Sequence, residues 1–281
     1  MQRTGGILAV VIALSLGVGL TGCTEPVDEK DRASLDAMVE IEKVPGVLVA
    51  PYASYIQVDP AASEDQIATT ALAVRDILDG MGEQRPKDLQ FVAVYPGDGY
   101  VHTEFTTRVF DDADRFERDV RVWAGLLDAG FAEVRYNVFD ETGDGVLNVH
   151  SGEPGRPGPT VTESFDAMVE AVGDDASPEL QTEALVGDAL ATNRSGDPAL
   201  PAGWADALDQ VSKLDFLRKT GATFEPGATA LRLTGPTTLT AEQAAVVMSV
   251  LTDTGVLQPA VTVTHTSDAD KSVTTLYGVA P

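Results

Sequence analysis

Three histidines are the side chains of this sequence best suited to acid–base chemistry or metal binding near neutral pH. His102, His150 and His265 lie far apart along the chain, at spacings unlike those of metal-ligand motifs. The sequence contains no HExxH, no Gly-x-Ser-x-Gly and no Ser-x-x-Lys with its usual partners. We therefore expect a non-enzymatic protein with no catalytic residue. The alternative is a hydrolase whose histidine and carboxylate groups meet only after folding.

A second candidate site is the acidic segment DETGDGVLN, which begins at Asp140. Asp140, Thr142 and Asp144 have the spacing of the first, third and fifth ligands of a calcium loop. Position twelve of such a loop supplies a bidentate glutamate, and here it is Ser151. We therefore favour a hairpin turn and expect no metal site, with a calcium-dependent adhesion module as a further alternative.

The only cysteine, Cys23, follows an uncharged, largely apolar stretch from residue 5 to 22 that is preceded by Arg3. This layout is typical of a secretory signal, and the apolar core is shorter than the ~20 residues of a membrane-spanning helix. The residues Leu20-Thr21-Gly22-Cys23 resemble the lipobox of bacterial lipoproteins.

That resemblance covers residues 1–23 and implies a lipid anchor. In lipoproteins the cysteine sulfur receives a diacylglycerol, and the signal is cleaved just before the cysteine. The resemblance thus implies a signal peptide at 1–22, a lipidated polar tether at 23–33 and no cofactor beyond the covalent lipid on Cys23. We expect the protein on the extracytoplasmic face of the cell membrane.

The charge of the chain restricts its partners. With 44 acidic and 19 basic residues the formal net charge is −25, and such a protein is repelled by nucleic acid. We expect no nucleic-acid partner. The expected partners are the membrane, through the lipid, and an envelope protein or wall ligand.

Three long helical patterns share their start and stop signals. Helices are predicted after Ser63, around Phe116 and after Thr240, and glycines follow each pattern. Ser63 and Thr240 are each followed three residues later by glutamine, as in a capping box. An alternating apolar pattern that resembles a β-hairpin follows each helix, and Asp144-Gly145 is a typical hairpin turn dipeptide.

Shorter helices are predicted at Ser34, Ser164 and Trp204, where similar segments recur. Between the second hairpin and Ser164, residues 151–160 (SGEPGRPGPT) contain three glycines and three prolines, a composition that opposes helix and strand. We predict an α+β protein with domains at 34–150 and 161–281 joined by this linker. Each domain is expected to be ferredoxin-like, an antiparallel sheet with helices on one face.

Strand alternation predicts a polar sheet face that the helices leave uncovered. The residues expected on this candidate binding face are His102, Glu104, Arg108, Glu133, Arg135, Asn148 and His150. His265 instead shares the parity of Val261 and Val263 and is expected to be partly buried. The leading interpretation is an anchored envelope module that binds or supports a partner through this face.

Overall fold

The computed structural model describes residues 29–95, 101–139, 144–151, 158–173, 179–195 and 197–278, with the backbone alone for residues 29–31, 101 and 102. The predicted signal peptide and Cys23 lie outside the described residues. Within the described part of the chain, no helix is long and apolar enough to cross a membrane.

Along the chain, each of the six helices is followed by two strands. The helices are α1 (Glu29–Ile41), α2 (Glu64–Asp79), α3 (Ala113–Gly125), α4 (Val161–Val172), α5 (Trp204–Val211) and α6 (Ala241–Asp253). The strands are β1 (Val47–Tyr52), β2 (Tyr55–Val58), β3 (Leu89–Tyr95), β4 (Val101–Thr107), β5 (Glu133–Val138), β6 (Gly145–Ser151), β7 (Leu180–Val186), β8 (Ala189–Asn193), β9 (Lys219–Glu225), β10 (Ala228–Gly235), β11 (Val261–Ser267) and β12 (Val273–Tyr277).

All twelve strands belong to one sheet, in the order of the chain from β1 to β12. The two strands that follow each helix form an antiparallel hairpin. Successive hairpins join through parallel pairs, from β2–β3 to β10–β11, and a helix lies in each parallel connection. The described chain is thus six consecutive units, each a helix followed by a hairpin.

The predicted ferredoxin-like fold with separate antiparallel sheets is therefore wrong. β6 and β7 pair in parallel over seven residue pairs, from Gly145 with Leu180 to Ser151 with Val186, so one mixed sheet continues past the Pro/Gly-rich segment. Residues 152–157 of that segment lie outside the described residues. Glycine and proline interrupt regular structure locally, but they do not decide which strand the next hairpin joins.

The predicted capping boxes are confirmed at two helix starts. The hydroxyls of Ser63 and Thr240 accept hydrogen bonds from the backbone N–H groups of Gln66 and Gln243, and each glutamine side chain accepts from the cap's own N–H. α4 begins with the same arrangement at Thr160. These bonds satisfy N–H groups that lack partners within the helix.

The helices bury their apolar faces against one side of the sheet. Along strands such as β6 and β11, buried side chains on this side alternate with partly exposed side chains on the other side. An aromatic cluster lies near the middle of the first half: Phe105 contacts the rings of Phe116, Trp123 and Tyr136 at centroid distances of 6.2, 6.2 and 5.6 Å. Trp204 packs edge-on to Phe224 in the second half. The opposite side of the sheet therefore carries none of the six described helices, and it is called the helix-free face below.

Candidate functional site

The helix-free face carries a polar row that crosses several neighbouring strands. Glu104 of β4 is paired in register with Arg135 of β5, and Arg135 with Asn148 of β6. The row continues to Glu183 of β7 and Thr192 of β8. Alternation along each strand places these side chains on one face because the residues beside them in sequence are buried against the helices.

Glu133 is the centre of the adjacent row. Its Oε2 lies 2.9 Å from Nδ1 of His150, and its Oε1 contacts Nε of Arg135. The Glu133 side chain is 21% exposed and that of His150 39% exposed. Glu133 therefore contacts both an imidazole and a guanidinium group on the helix-free face, and all three side chains remain partly accessible to solvent.

The structure brings together five of the predicted face residues, namely Glu104, Glu133, Arg135, Asn148 and His150. His102 lies on β4 two residues before Glu104, and its backbone is paired with Val94 of β3. The side chain of His102 lies outside the described residues.

Two other residues of interest lie apart from this group. Arg108 follows β4 and donates through Nε to Asp88 at 2.7 Å at the rim of the sheet. His265 of β11 is buried on the helix-facing side, where neither ring nitrogen has a hydrogen-bond partner among the described residues. Burial lowers the pKa of His265, opposed by the negative charge of Asp268.

The polar face extends beyond the predicted residues, over β7 to β9. Glu183 accepts from the hydroxyl of Thr192 at 3.1 Å. Arg194, just after β8, donates to Gln181 at 3.0 Å and lies 3.7 Å from Glu225. Sequence reasoning missed this part because small or polar residues occupy the core side of β7 and β8, which weakens the apolar alternation that signals a strand.

The structure does not test a metal centre at the acidic segment, because Asp140 and Thr142 lie outside the described residues. Asp144 is exposed and directly precedes β6. In the part of the chain that the structure describes, no group of three or more His, Cys, Asp or Glu side chains could hold a metal ion.

On the opposite side, a groove of about 650 Å³ is lined mainly by α3 and α4. Arg121 on its wall contacts Glu64, Asp65 and Glu117 at 3.0, 2.7 and 2.9 Å, and these hydrogen bonds raise the pKa of Arg121. Because three carboxylates already surround this guanidinium group, it is poorly suited to bind an anionic ligand. The helix-free face is therefore the stronger candidate site.

The chain was compared with protein-family models, curated proteins and solved structures, and none of them matched.

Proposed function

We propose that this protein is an exported lipoprotein, anchored to the extracytoplasmic face of the cell membrane, that acts as a non-enzymatic binding or structural module of the cell envelope. The anchor rests on the lipobox resemblance at Cys23. The binding role rests on one observation, the continuous polar row of Glu104, Arg135, Asn148 and Glu183 across four neighbouring strands.

The composition of this face favours a polar ligand of low net charge. Its carboxylates alternate with arginine, asparagine and threonine side chains, and Glu133 is already in contact with Arg135 and His150. These ion pairs are partly exposed to solvent, and ion pairs at the surface contribute little to stability, so a ligand exchanges hydrogen bonds with them at low cost. The net charge of −25 further disfavours polyanions.

The ligand class that fits is a hydroxyl- and amide-bearing wall polymer, or a segment of an envelope protein with those groups. Such a ligand forms hydrogen bonds with side chains along the row, and each residue in the register adds a contact about 4.8 Å from the last. An extended polymer that crosses the strands matches this geometry.

Binding is tested by co-sedimentation of the full-length chain, purified in detergent, with insoluble cell-wall polymer. We expect Arg135→Ala to weaken binding about tenfold, as for a central interface arginine. Arg121→Ala is the matched control because it removes an arginine from the helix-facing side, and it should leave binding within about twofold. Equal losses in the two variants would contradict a site on the helix-free face.

The non-enzymatic assignment has its own test, because His150 and Glu133 form a histidine–carboxylate pair of the kind that hydrolases use. The purified protein is incubated with wall polymer and with a chromogenic ester. We expect no turnover above the detergent blank. Turnover that is lost in His150→Ala would show that the face is an active site.

The anchor is tested separately by mass spectrometry of the membrane-extracted protein. We expect a diacylglycerol on Cys23 and no residues before it. Cys23→Ser should move the protein out of the lipidated fraction because a stable anchor requires acyl chains. An unmodified Cys23 in the membrane-extracted protein would refute the anchor and leave the binding test unaffected.

A further inference from the structure

The five junctions between units share one geometry. At each, the second strand of one hairpin pairs in parallel with the first strand of the next, over four to seven residue pairs. The helices of adjacent units also contact each other, in order from α1–α2 to α5–α6. Each unit therefore has a leading edge, formed by its helix and first strand, and a trailing edge formed by its second strand.

The two ends of the sheet are the two complementary halves of this junction. Among the described residues, β1 with α1 is a leading edge that pairs with no preceding strand, and β12 is a trailing edge that pairs with no following strand. Thr274 of β12 is paired with the buried His265 and is nevertheless exposed. The helix layer thus stops short of β12, whereas α3 contacts both β4 and β5 at an internal junction.

Exposed apolar side chains are concentrated at these two ends. Of the nine large apolar side chains that are exposed among the described residues, seven lie in the first and last units: Leu35, Val39, Leu48, Val49, Tyr52, Val246 and Val273. Concentrated apolar exposure of this kind marks interaction surfaces.

Neither edge strand carries a charged residue. β1 reads VLVAPY and β12 reads VTTLY, although 22% of the chain is charged. Proteins commonly protect free edges with lysine or other charges. β1 has two protective features: Pro51, which lacks a backbone N–H, and two register shifts in its pairing with β2. Residues 47–50 precede the proline, and four residue pairs are enough at the β2–β3 and β4–β5 junctions.

We propose that the protein associates head to tail, with β12 of one copy pairing in parallel with β1 of a second copy. The new junction repeats the five internal ones: α1 of the second copy covers the exposed helix side of β12 and packs beside α6. The partner is a second copy because this chain supplies both halves of the junction. Both halves of the junction lie in the described part of the chain, and their pairing does not depend on the lipid anchor.

The association joins two different surfaces, so each added copy presents a new free edge. Such an interface produces open filaments or rings, whereas a contact between identical surfaces stops at a dimer. This difference provides a specific test.

The test is sedimentation velocity of the full-length chain in detergent over a range of protein concentration. We expect the unsubstituted chain to form a concentration-dependent ladder of species. Leu48→Lys at the leading edge and Val273→Lys at the trailing edge should each weaken association about tenfold or more. Leu190→Lys, on an internal strand, is the matched control and should associate like the unsubstituted chain.

The decisive measurement is an equimolar mixture of the Leu48→Lys and Val273→Lys variants. At concentrations where each alone is monomeric, the mixture should form a one-to-one dimer that does not grow further, because only one intact junction can form. Tyr52→Lys is a second leading-edge variant in case Leu48→Lys fails to fold, as judged by circular dichroism.

Three results would overturn the proposal. The first is an unsubstituted chain that stays monomeric up to about 100 μM, a concentration at which an interface with a dissociation constant of about 1 μM would be largely occupied. The second is a mixture of the two edge variants that remains monomeric. The third is equal weakening by Leu190→Lys, which would indicate non-specific association through exposed apolar side chains.

Discussion

Tyr136→Phe tests how the third helix is joined to the sheet. The Tyr136 hydroxyl on β5 donates a hydrogen bond to Oδ1 of Asp119 on α3 at 3.2 Å. Asp119 is only 6% exposed. Its Oδ2 lies 3.6 Å from Nε of Arg115 and has no hydrogen-bond partner among the described residues. Among the described residues, removal of the hydroxyl therefore leaves the buried carboxyl group with only the longer contact to Arg115.

The expected loss follows from these contacts. A hydrogen bond to a charged group contributes about 1.5–3 kcal/mol, and a buried acceptor left without a partner retains its desolvation cost. Phenylalanine keeps the ring contact with Phe105, which lies at 5.6 Å, so packing changes little. For a chain of this size, a loss of about 2 kcal/mol corresponds to a decrease in Tm of about 4–8 °C.

The assay is urea unfolding of the full-length chain at pH 7, followed by tryptophan fluorescence, with a double-mutant cycle as control. In the Asp119→Asn background the acceptor is neutral, so Tyr136→Phe should cost only about 0.5–1.5 kcal/mol. A change below about 0.5 kcal/mol in the native background, or an equal loss in both backgrounds, would refute this explanation.

The pH dependence provides an independent check on the same pair. Burial raises the pKa of Asp119, opposed by the positive charges of Arg115 and Arg118. A carboxyl group whose pKa is raised by folding stabilises the protein below its unfolded pKa of about 3.9, and this stability is lost as pH rises through the folded-state pKa. The stability of Asp119→Asn relative to the native chain should therefore increase from pH 4 to pH 7.

Substitutions at three further positions test other parts of the structure by urea unfolding. Burial lowers the pKa of His265, so the native chain should lose stability as pH falls below about 6.5, by up to about 1.4 kcal/mol per pH unit. His265→Leu should reduce this dependence of stability on pH. Equal dependence in the two proteins would contradict the prediction. Thr160→Ala removes the hydroxyl that accepts from the Glu163 N–H and should cost about 1 kcal/mol, whereas Thr160→Ser should restore most of it. Glu133→Gln removes a partly exposed carboxylate and should change stability by less than about 1 kcal/mol, and a larger loss would show a structural role.

Short segments of the sequence were sufficient to predict features whose interacting residues lie close together in the chain. Ser63 and Thr240 each accept from an N–H three residues later, so their helix starts are visible in short segments. The sequence pattern did not predict the hairpin of β7 and β8, because Thr182, Ala184 and Asn193 occupy its core side. The segments 47–58 and 219–235 each form a hairpin, and short runs of residues do not distinguish such a hairpin from one long strand.

The amino-acid sequence by itself determined the helix caps, the alternation that places Glu104 and Arg135 on a polar face, and the basis for expecting an anchor at Cys23, because these depend on residues close together in the chain. Only the tertiary structure decided that the units form one mixed sheet and that Glu133 joins Arg135 and His150. The reason is physical. The backbone groups at a strand edge are chemically alike in every hairpin, so strand order depends on how helices and hairpins pack over the whole chain.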